Sequence, residues 1–206
     1  MKLKKIASLM LAGIMAVSML AACGDTTPNT DDDTVVTPVD NSFAASVNAE
    51  LDDKYKEILS FEADSALADV VNKIAASTEF NLNNGVNGMW DLNNTAVGAT
   101  FRELLDVDNY FNGSVFAQST KDQTVATLLV VNGALTEKGL AKIVAAELEK
   151  YDAGSYLPLA YNATAKRYDY DYSGAMAVTK VTVMNGTQSY YVVGFTIAQD
   201  VTEVAA

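Results

Sequence analysis

Residues 175–199 read AMAVTKVTVMNGTQSYYVVGFTIAQ. Two runs, 175–184 and 188–199, are dense in β-branched and aromatic residues and flank Asn185-Gly186, a dipeptide suited to a tight hairpin turn. The stretch therefore predicts two antiparallel strands. Their register follows from the apolar pattern. On the second strand Tyr191, Val193, Phe195 and Ile197 form the odd set, and on the first Ala177, Val181 and Val183 do, with Thr179 between them. A two-residue turn at Asn185-Gly186 would pair odd positions with even ones. A three-residue loop, Met184-Asn185-Gly186 with Gly186 left-handed, would pair odd with odd and bury both sets on one face. Each such side chain gains about 1.5–3 kcal/mol on burial, more than turn types differ, which predicts Val183 opposite Thr187 and Thr179 opposite Tyr191.

Outward from this hairpin, Thr136 is placed to cap a helix running to Lys150, with Leu140, Ile143, Val144, Leu148 and Tyr151 on one face and Gly154 as its stop. Before it, Ser114–Ser119 and Thr124–Val131 have strand character and are joined by Thr120-Lys121-Asp122-Gln123. The C-terminal half thus reads ββαββ. Toward the N-terminus, Val47, Leu51, Tyr55 and Leu59, then Leu67, Val70, Val71 and Ile74, recur at helical spacing. They predict one bent helix or two consecutive ones, broken near Ser60–Ala63. A polar loop spans Asn81–Gly98, and Thr100-x-x-Glu103 has the spacing of a capping box ahead of Leu104 and Leu105. The class expected is α+β: N-terminal helices packed on a mostly antiparallel sheet.

The chain opens differently. Lys2, Lys4 and Lys5 precede an apolar run from Ile6 to Leu20, and Leu20-Ala21-Ala22-Cys23 follows. A basic start, a short apolar run and a small-residue exit are the parts of a secretory signal, and the run is short of the roughly 20 residues of a membrane span. The exit resembles the lipobox of bacterial lipoproteins. That resemblance implies cleavage before Cys23, a diacylglyceryl group (and palmitate) on its thiol, and anchoring at the outer face of the cell membrane. Residues 1–22 are then a signal peptide, residues 23–42 a lipidated cysteine and disordered acidic tether, and residues 43–206 a single extracytoplasmic globular domain. Gly24–Ser42 holds five Asp, five Thr and two of the three prolines, too little apolar surface to offset ordering entropy.

Composition closes several chemistries. The chain carries 14 basic and 26 acidic residues, net −12. Removal of the three leading lysines leaves 11 against 26, a formal charge of −15. Such a surface repels phosphate backbones and argues against nucleic-acid partners. There is no histidine and only one cysteine. Ser-His-Asp and Cys-His catalysis, imidazole or thiolate zinc sites and disulfides are thereby excluded. A carboxylate-dependent, glycoside-type hydrolase needs only two acids at a suitable separation, and no pair among 26 is singled out by sequence.

Three features are candidate sites. Asp169-x-Asp171-x-Ser173-Gly174 matches the opening of a calcium loop, although the twelfth position, where a bidentate glutamate belongs, is Lys180. The competing reading, an alternating strand with Tyr168, Tyr170 and Tyr172 on one side and the aspartates in water, outweighs it. Six of the ten tyrosines fall between Tyr151 and Tyr172. Tyr156, Tyr161, Tyr168, Tyr170 and Tyr172, with Trp90 elsewhere, offer flat faces that can stack on a saccharide or grip a peptide or envelope protein. Against this stands the plainer use of tyrosines to pack a long loop onto the domain.

The order of motifs carries a further resemblance. Ala66–Ser77 precedes Phe101-Arg102-Glu103-Leu104-Leu105-Asp106-Val107-Asp108; the strand pair and helix follow, then Tyr156-Leu157-Pro158, and finally Gly186-Thr187-Gln188-Ser189-Tyr190-Tyr191-Val192-Val193. Over about residues 64–199 this order resembles the uncharacterised bacterial lipoprotein domain of unknown function, family 4358, common in Gram-positive bacteria. The resemblance implies location and fold, and brings no catalytic residues. A non-catalytic ligand- or partner-binding envelope protein is the function expected.

Overall fold

The structure is a computed structural model that describes residues 35–38, 42–77, 88–112, 114–183 and 188–205. The expected signal peptide, Cys23 and most of the expected tether lie outside the described residues.

A long hairpin organises the domain. Strands β6 (Lys166–Val183) and β7 (Gln188–Ala205) pair one to one along their whole length. The free edge of β7 takes β4 (Gln123–Asn132), and β4 takes β3 (Met89–Asp91), both antiparallel. The free edge of β6 is covered piecewise. β1 (Val35–Pro38) pairs with Thr179–Thr182, β2 (Phe61–Ala63) runs parallel beside Gly174–Met176, and β5 (Ala160–Ala163) pairs with Lys166–Asp169. The fold is α+β with a mostly antiparallel sheet.

Helices cover both faces. One face carries Val125, Leu129, Met176, Val178, Val193, Phe195 and Ile197 beneath α1 (Ser42–Glu50) and α5 (Glu137–Leu148). The opposite face carries Leu128, Val130, Ala175, Ala177, Val181 and Val192 beneath α3 (Ser65–Ala75) and α4 (Ala96–Leu104). Contact on the second face is close at Gly194, where an added Cβ would stand 2.5 Å from Val71 Cγ2 and 2.9 Å from Phe101 Cζ.

This two-sided burial overturns the expected register. Val183 lies opposite Gln188 and Thr179 opposite Val192, while Tyr191 faces Lys180. The expectation assumed a single core face. With both faces buried, splitting the apolar sets costs nothing, and the register is the one a two-residue Asn185-Gly186 loop imposes. The loop residues 184–187 themselves lie outside the described residues.

Other expectations change as well, and with Ser114–Ser119 not a strand the ββαββ order is not found. Val35–Pro38, assigned to the disordered tether, is an edge strand on β6; its proline sits at an edge end, where a missing N–H is tolerated. Ser114–Ser119 is not a strand: residues 114–118 wind through turns, and Gln118 has a left-handed φ of 58°. Its apolar Phe116 is buried all the same. The Val115 and Phe116 carbonyls accept from the side-chain amides of Gln123 and Gln199, at 3.2 and 3.1 Å, in place of a strand partner.

Among the described residues, three helices, not one or two, span 42–75. After α1, Asp52 caps α2 (Asp53–Ile58) by accepting from the Tyr55 amide, and its own amide donates to Glu149 at 2.7 Å. Val47, Leu51, Tyr55 and Leu59 are all buried, so the spacing reported the inward face correctly while the helix broke between them. The expected break near Ser60–Ala63 contains β2. Finally, α4 starts at Ala96 with Thr95 as its cap, so Thr100 lies inside the helix rather than before it. Thr136 caps α5 as expected, but the helix ends at Leu148 and Gly154 falls inside the short α6 (Ala153–Tyr156).

Candidate functional site

A small cavity opens on the α1–α5 face, where β3, the end of α5 and the segment before β4 converge. Its volume is about 10 Å³, room for one water-sized group. Phe195, Leu129 and Leu148 form its apolar floor, all essentially fully buried. Asp91 and Glu147 bring two carboxylates to it, and Asn93, Thr127, Phe111 and Tyr151 complete the wall.

Local hydrogen bonds fix each polar wall residue. Asp91 Oδ1 accepts from the Asn93 amide at 2.7 Å, turning the chain sharply after β3. Asn93 is buried; its Oδ1 accepts from the Leu128 amide at 3.1 Å and its carbonyl from the Arg102 guanidinium at 2.9 Å, tying the turn to β4 and α4. Thr127, also buried, accepts from the Phe111 amide at 3.2 Å. Glu147 is paired with the Lys150 ammonium. The hydroxyl of Tyr55 lies 2.6 Å from the carbonyls of both Leu148 and Tyr151, so the turn after α5 is held from beneath.

The ring of Tyr151 stands edge-on to Phe111, centroids 5.1 Å apart, and to Tyr156 at 5.2 Å. Burial raises its phenol above the ordinary tyrosine value, and the neighbouring carboxylates of Glu147 and Asp91 raise it further. Both acids are thus close enough to Tyr151 for their fields to act on it. None of Asp91, Asn93, Thr127 or Glu147 stands out in the sequence, and Tyr151 is legible as one member of a helix face and as the first of the tyrosine cluster. The cavity is assembled from β3, β4 and α5, which no local motif connects.

The residues singled out by sequence are dispersed. Trp90 is exposed on edge strand β3, opposite Val130, and so belongs to the other sheet face from the cavity. Tyr156 packs on Tyr151. Tyr161 stacks on Tyr168 with centroids 6.2 Å apart and ring planes 13° from parallel. Tyr170 is buried and donates to the Ser119 carbonyl at 2.6 Å. Tyr172 donates to the Pro158 carbonyl at 2.8 Å, accepts from Gln199 Nε2 at 2.8 Å, and packs against Phe116. These hydroxyls are spent on loop carbonyls, and the six side chains do not form one platform.

Asp169, Asp171 and Ser173 lie on the continuous strand β6. Asp169 accepts from Arg167 at 2.7 Å. Asp171 lies across from Asp200 of β7, whose carboxyl is pushed up by partial burial and by the charges of Asp122 and Asp171. Gly174 serves packing: a Cβ there would stand 2.5 Å from the Phe61 ring. Among the described residues no group of three or more Asp, Glu, His or Cys is placed to hold a metal ion. On a continuous strand Asp169, Asp171 and Ser173 stand in a row on one face, about 6.5 Å from one to the next, whereas calcium wants six to eight oxygens converging on one point. Millimolar calcium is therefore expected to leave the melting temperature unchanged; a clear rise that Asp171→Asn diminishes would establish the site.

No protein-family model, curated protein or solved structure matches the chain.

Proposed function

We propose that the chain is a lipid-anchored, extracytoplasmic binding protein, held at the outer face of the cell membrane through Cys23 and without catalytic activity of its own. The observation that carries the binding reading is the size of the cavity at Asp91 and Glu147. At about 10 Å³ it admits one small group of a partner and leaves no room for a sugar ring or a peptide segment. The lipobox-like Leu20-Ala21-Ala22-Cys23 supports the anchor, as does the resemblance to the family 4358 lipoprotein domain.

Strand β1 adds a geometric consequence. Eleven residues lie between Cys23 and Val35, a chain that spans at most about 40 Å when extended. Val35 pairs with Thr182, beside the hairpin loop. The stacked Tyr161–Tyr168 pair lies fourteen residues farther along β6, about 45 Å at the rise of a strand. The chain thus enters the domain at Val35, at the hairpin-loop end of the sheet, far along β6 from the stacked tyrosines.

Cys23→Ala tests the anchor. The variant is expected to leave the detergent-requiring membrane fraction and to lose the mass of the diacylglyceryl group. Membrane partitioning at the wild-type mass would overturn the reading.

That Asp91 and Glu147 line one cavity favours a second reading, a carboxylate-dependent hydrolase acting on a chain end that only touches the cavity mouth. Release of reducing ends from envelope glycans, abolished by Glu147→Gln, would replace the binding reading with that one.

A further inference from the structure

We propose that residues 114–122 are a plug built into a peptide-binding slot, in which Phe116 and its carbonyl hold the place of an extended apolar segment of a partner protein. The slot rests on the binding-protein reading above and gives the partner its chemistry.

Tyr172 of β6, Gln199 of β7 and Gln123 of β4 stand side by side across the sheet. They interrupt an otherwise apolar face, on which Phe195 and Ile197 precede Gln199 and Val125 follows Gln123. Each polar head donates to a loop carbonyl: Tyr172 to Pro158, Gln199 to Phe116 and Gln123 to Val115. The last two carbonyls are consecutive in a chain that crosses the strands. The Phe116 ring, 1% exposed, fills the space beside the row against Tyr172 and Phe111. Main-chain hydrogen bonds for grip and a pocket for one side chain are the parts of peptide recognition.

The grip is half made. Gln199 is 0% exposed, and its Oε1 has no hydrogen-bond partner. A primary amide can pair with a residue twice, its nitrogen donating to the carbonyl and its oxygen accepting the N–H. In extended backbone the N–H and C=O of one residue point to the same side, so both bonds form together. Phe116 lies in a turn, and only its carbonyl reaches the amide of Gln199. The plug bears a second cost at Gln118, whose φ of 58° is unfavourable for a long side chain. Burial of Phe116 holds it down, with ties at its far end: Tyr170 donates to the Ser119 carbonyl at 2.6 Å, and the Val201 amide to Asp122 at 2.9 Å. An extended segment with a Phe or Leu side chain supplies equal burial, adds the N–H that Oε1 lacks and releases Gln118. The net charge of −12 favours basic flanks on that segment.

The test uses the full chain in detergent. Hydrogen exchange of the Gln199 side-chain amide reports lifting of the plug. Its protection should be at least a hundredfold below that of the main-chain amides of Leu129 and Val193, which lie within paired strands. Tyr170→Phe removes the tie to Ser119 and should lower the Gln199 protection about tenfold further, the scale of one hydrogen bond. The probe is the peptide acetyl-Lys-Ala-Phe-Ala-Lys-amide, followed by NMR shifts at Tyr172 and Gln199. Only the unplugged state binds it, so Tyr170→Phe should tighten the peptide by the same factor that it lowers protection. Methylation of the peptide's Phe nitrogen removes the donor for Oε1 and should weaken binding at least tenfold, as should Ala in place of that Phe.

Equal protection of Gln199, Leu129 and Val193 would overturn the proposal, since the plug would then move only when the domain unfolds. Absence of saturable peptide binding to Tyr170→Phe would overturn it too, and would leave a structural water as the partner of Oε1. Undiminished binding of the N-methylated peptide would do the same by showing that Gln199 does not grip the main chain. None of these results alters the Cys23→Ala fractionation, so failure of the slot and failure of the anchored-protein reading are separately visible.

Discussion

Phe195→Ala is expected to destabilise the domain by about 3–5 kcal/mol, the range for emptying an aromatic site in a packed core. Phe195 sits on β7, the central strand of the sheet, and is 2% exposed. Its ring meets Phe61 edge-on with centroids 5.8 Å apart, which couples β7 to the parallel strand β2 across β6. It also floors the small cavity, so its removal would join new empty volume to that space. The neighbours cannot simply collapse inward. Position 194 on the other face is a glycine already in tight contact with Val71 and Phe101, which leaves the strand little freedom to shift. At about 2–4 °C per kcal/mol for a domain of this size, the melting temperature should fall by about 6–20 °C. Leu159→Ala, at a side chain 60% exposed, should change stability by less than about 0.5 kcal/mol. Thermal unfolding of the two variants checks both, and a shift of only a degree or two for Phe195→Ala would show that this part of the core is loosely packed.

The same two-faced burial explains what was legible in the sequence. The α+β class, β4, α5 and the inner part of the hairpin follow from local patterns: near-continuous runs of β-branched and aromatic residues for the strands, and a 3.6-residue period for the helix. Thr136 announced the start of α5 through chemistry that acts within one turn. Register was misjudged because one covered face was assumed, although the continuous apolar runs Leu128–Val131 and Tyr190–Val193 are the pattern of strands buried on both faces. Phe116 misled for a related reason. Burial of a residue in a loop looks the same, one residue at a time, as burial in a strand, and the side-chain amides of Gln123 and Gln199 that satisfy that loop lie 8 and 83 residues away. The cavity was invisible for the strongest version of this reason: Asp91, Thr127 and Glu147 become neighbours only when β3 pairs with β4 and α5 lies over them. The tyrosines, conversely, stood out in sequence because they cluster there, and most serve packing.

Raising the pH above 10 is expected to unfold the domain steeply, with tyrosine ionisation and loss of structure in one transition. Tyr55 and Tyr190 are each 1% exposed. Burial pushes the Tyr190 phenol up to about 12. Burial also raises Tyr55 far above the ordinary tyrosine value, and the carboxylates of Asp52, Glu149 and Asp152 raise it further. Tyr172 is shifted the same way by burial, against the hydrogen bond that Gln199 donates to it. The sign is fixed by these directions. Between about pH 10, where an unfolded chain releases these protons, and the higher folded values, the folded state holds protons that the unfolded state has lost. Stability is therefore whole below about pH 10 and falls as pH rises through the window. Each such tyrosine contributes a slope of about 1.4 kcal/mol per pH unit, so Tyr55 and Tyr190 together contribute about 3. A reserve of about 5–15 kcal/mol is consumed within a few pH units at that slope, sooner as lysines also titrate. Tyr55→Phe separates the tyrosine effect from the lysines. It removes the hydroxyl shared by the Leu148 and Tyr151 carbonyls, so the variant should be about 1 kcal/mol or more less stable at neutral pH. It should nevertheless lose stability more slowly above pH 10, and the two stability curves should converge. Denaturant titrations across the range, with tyrosinate absorbance and circular dichroism recorded together, measure both quantities. Ionisation of all ten tyrosines near pH 10 with the dichroism intact would mean that Tyr55 and Tyr190 are reached by water in the folded protein.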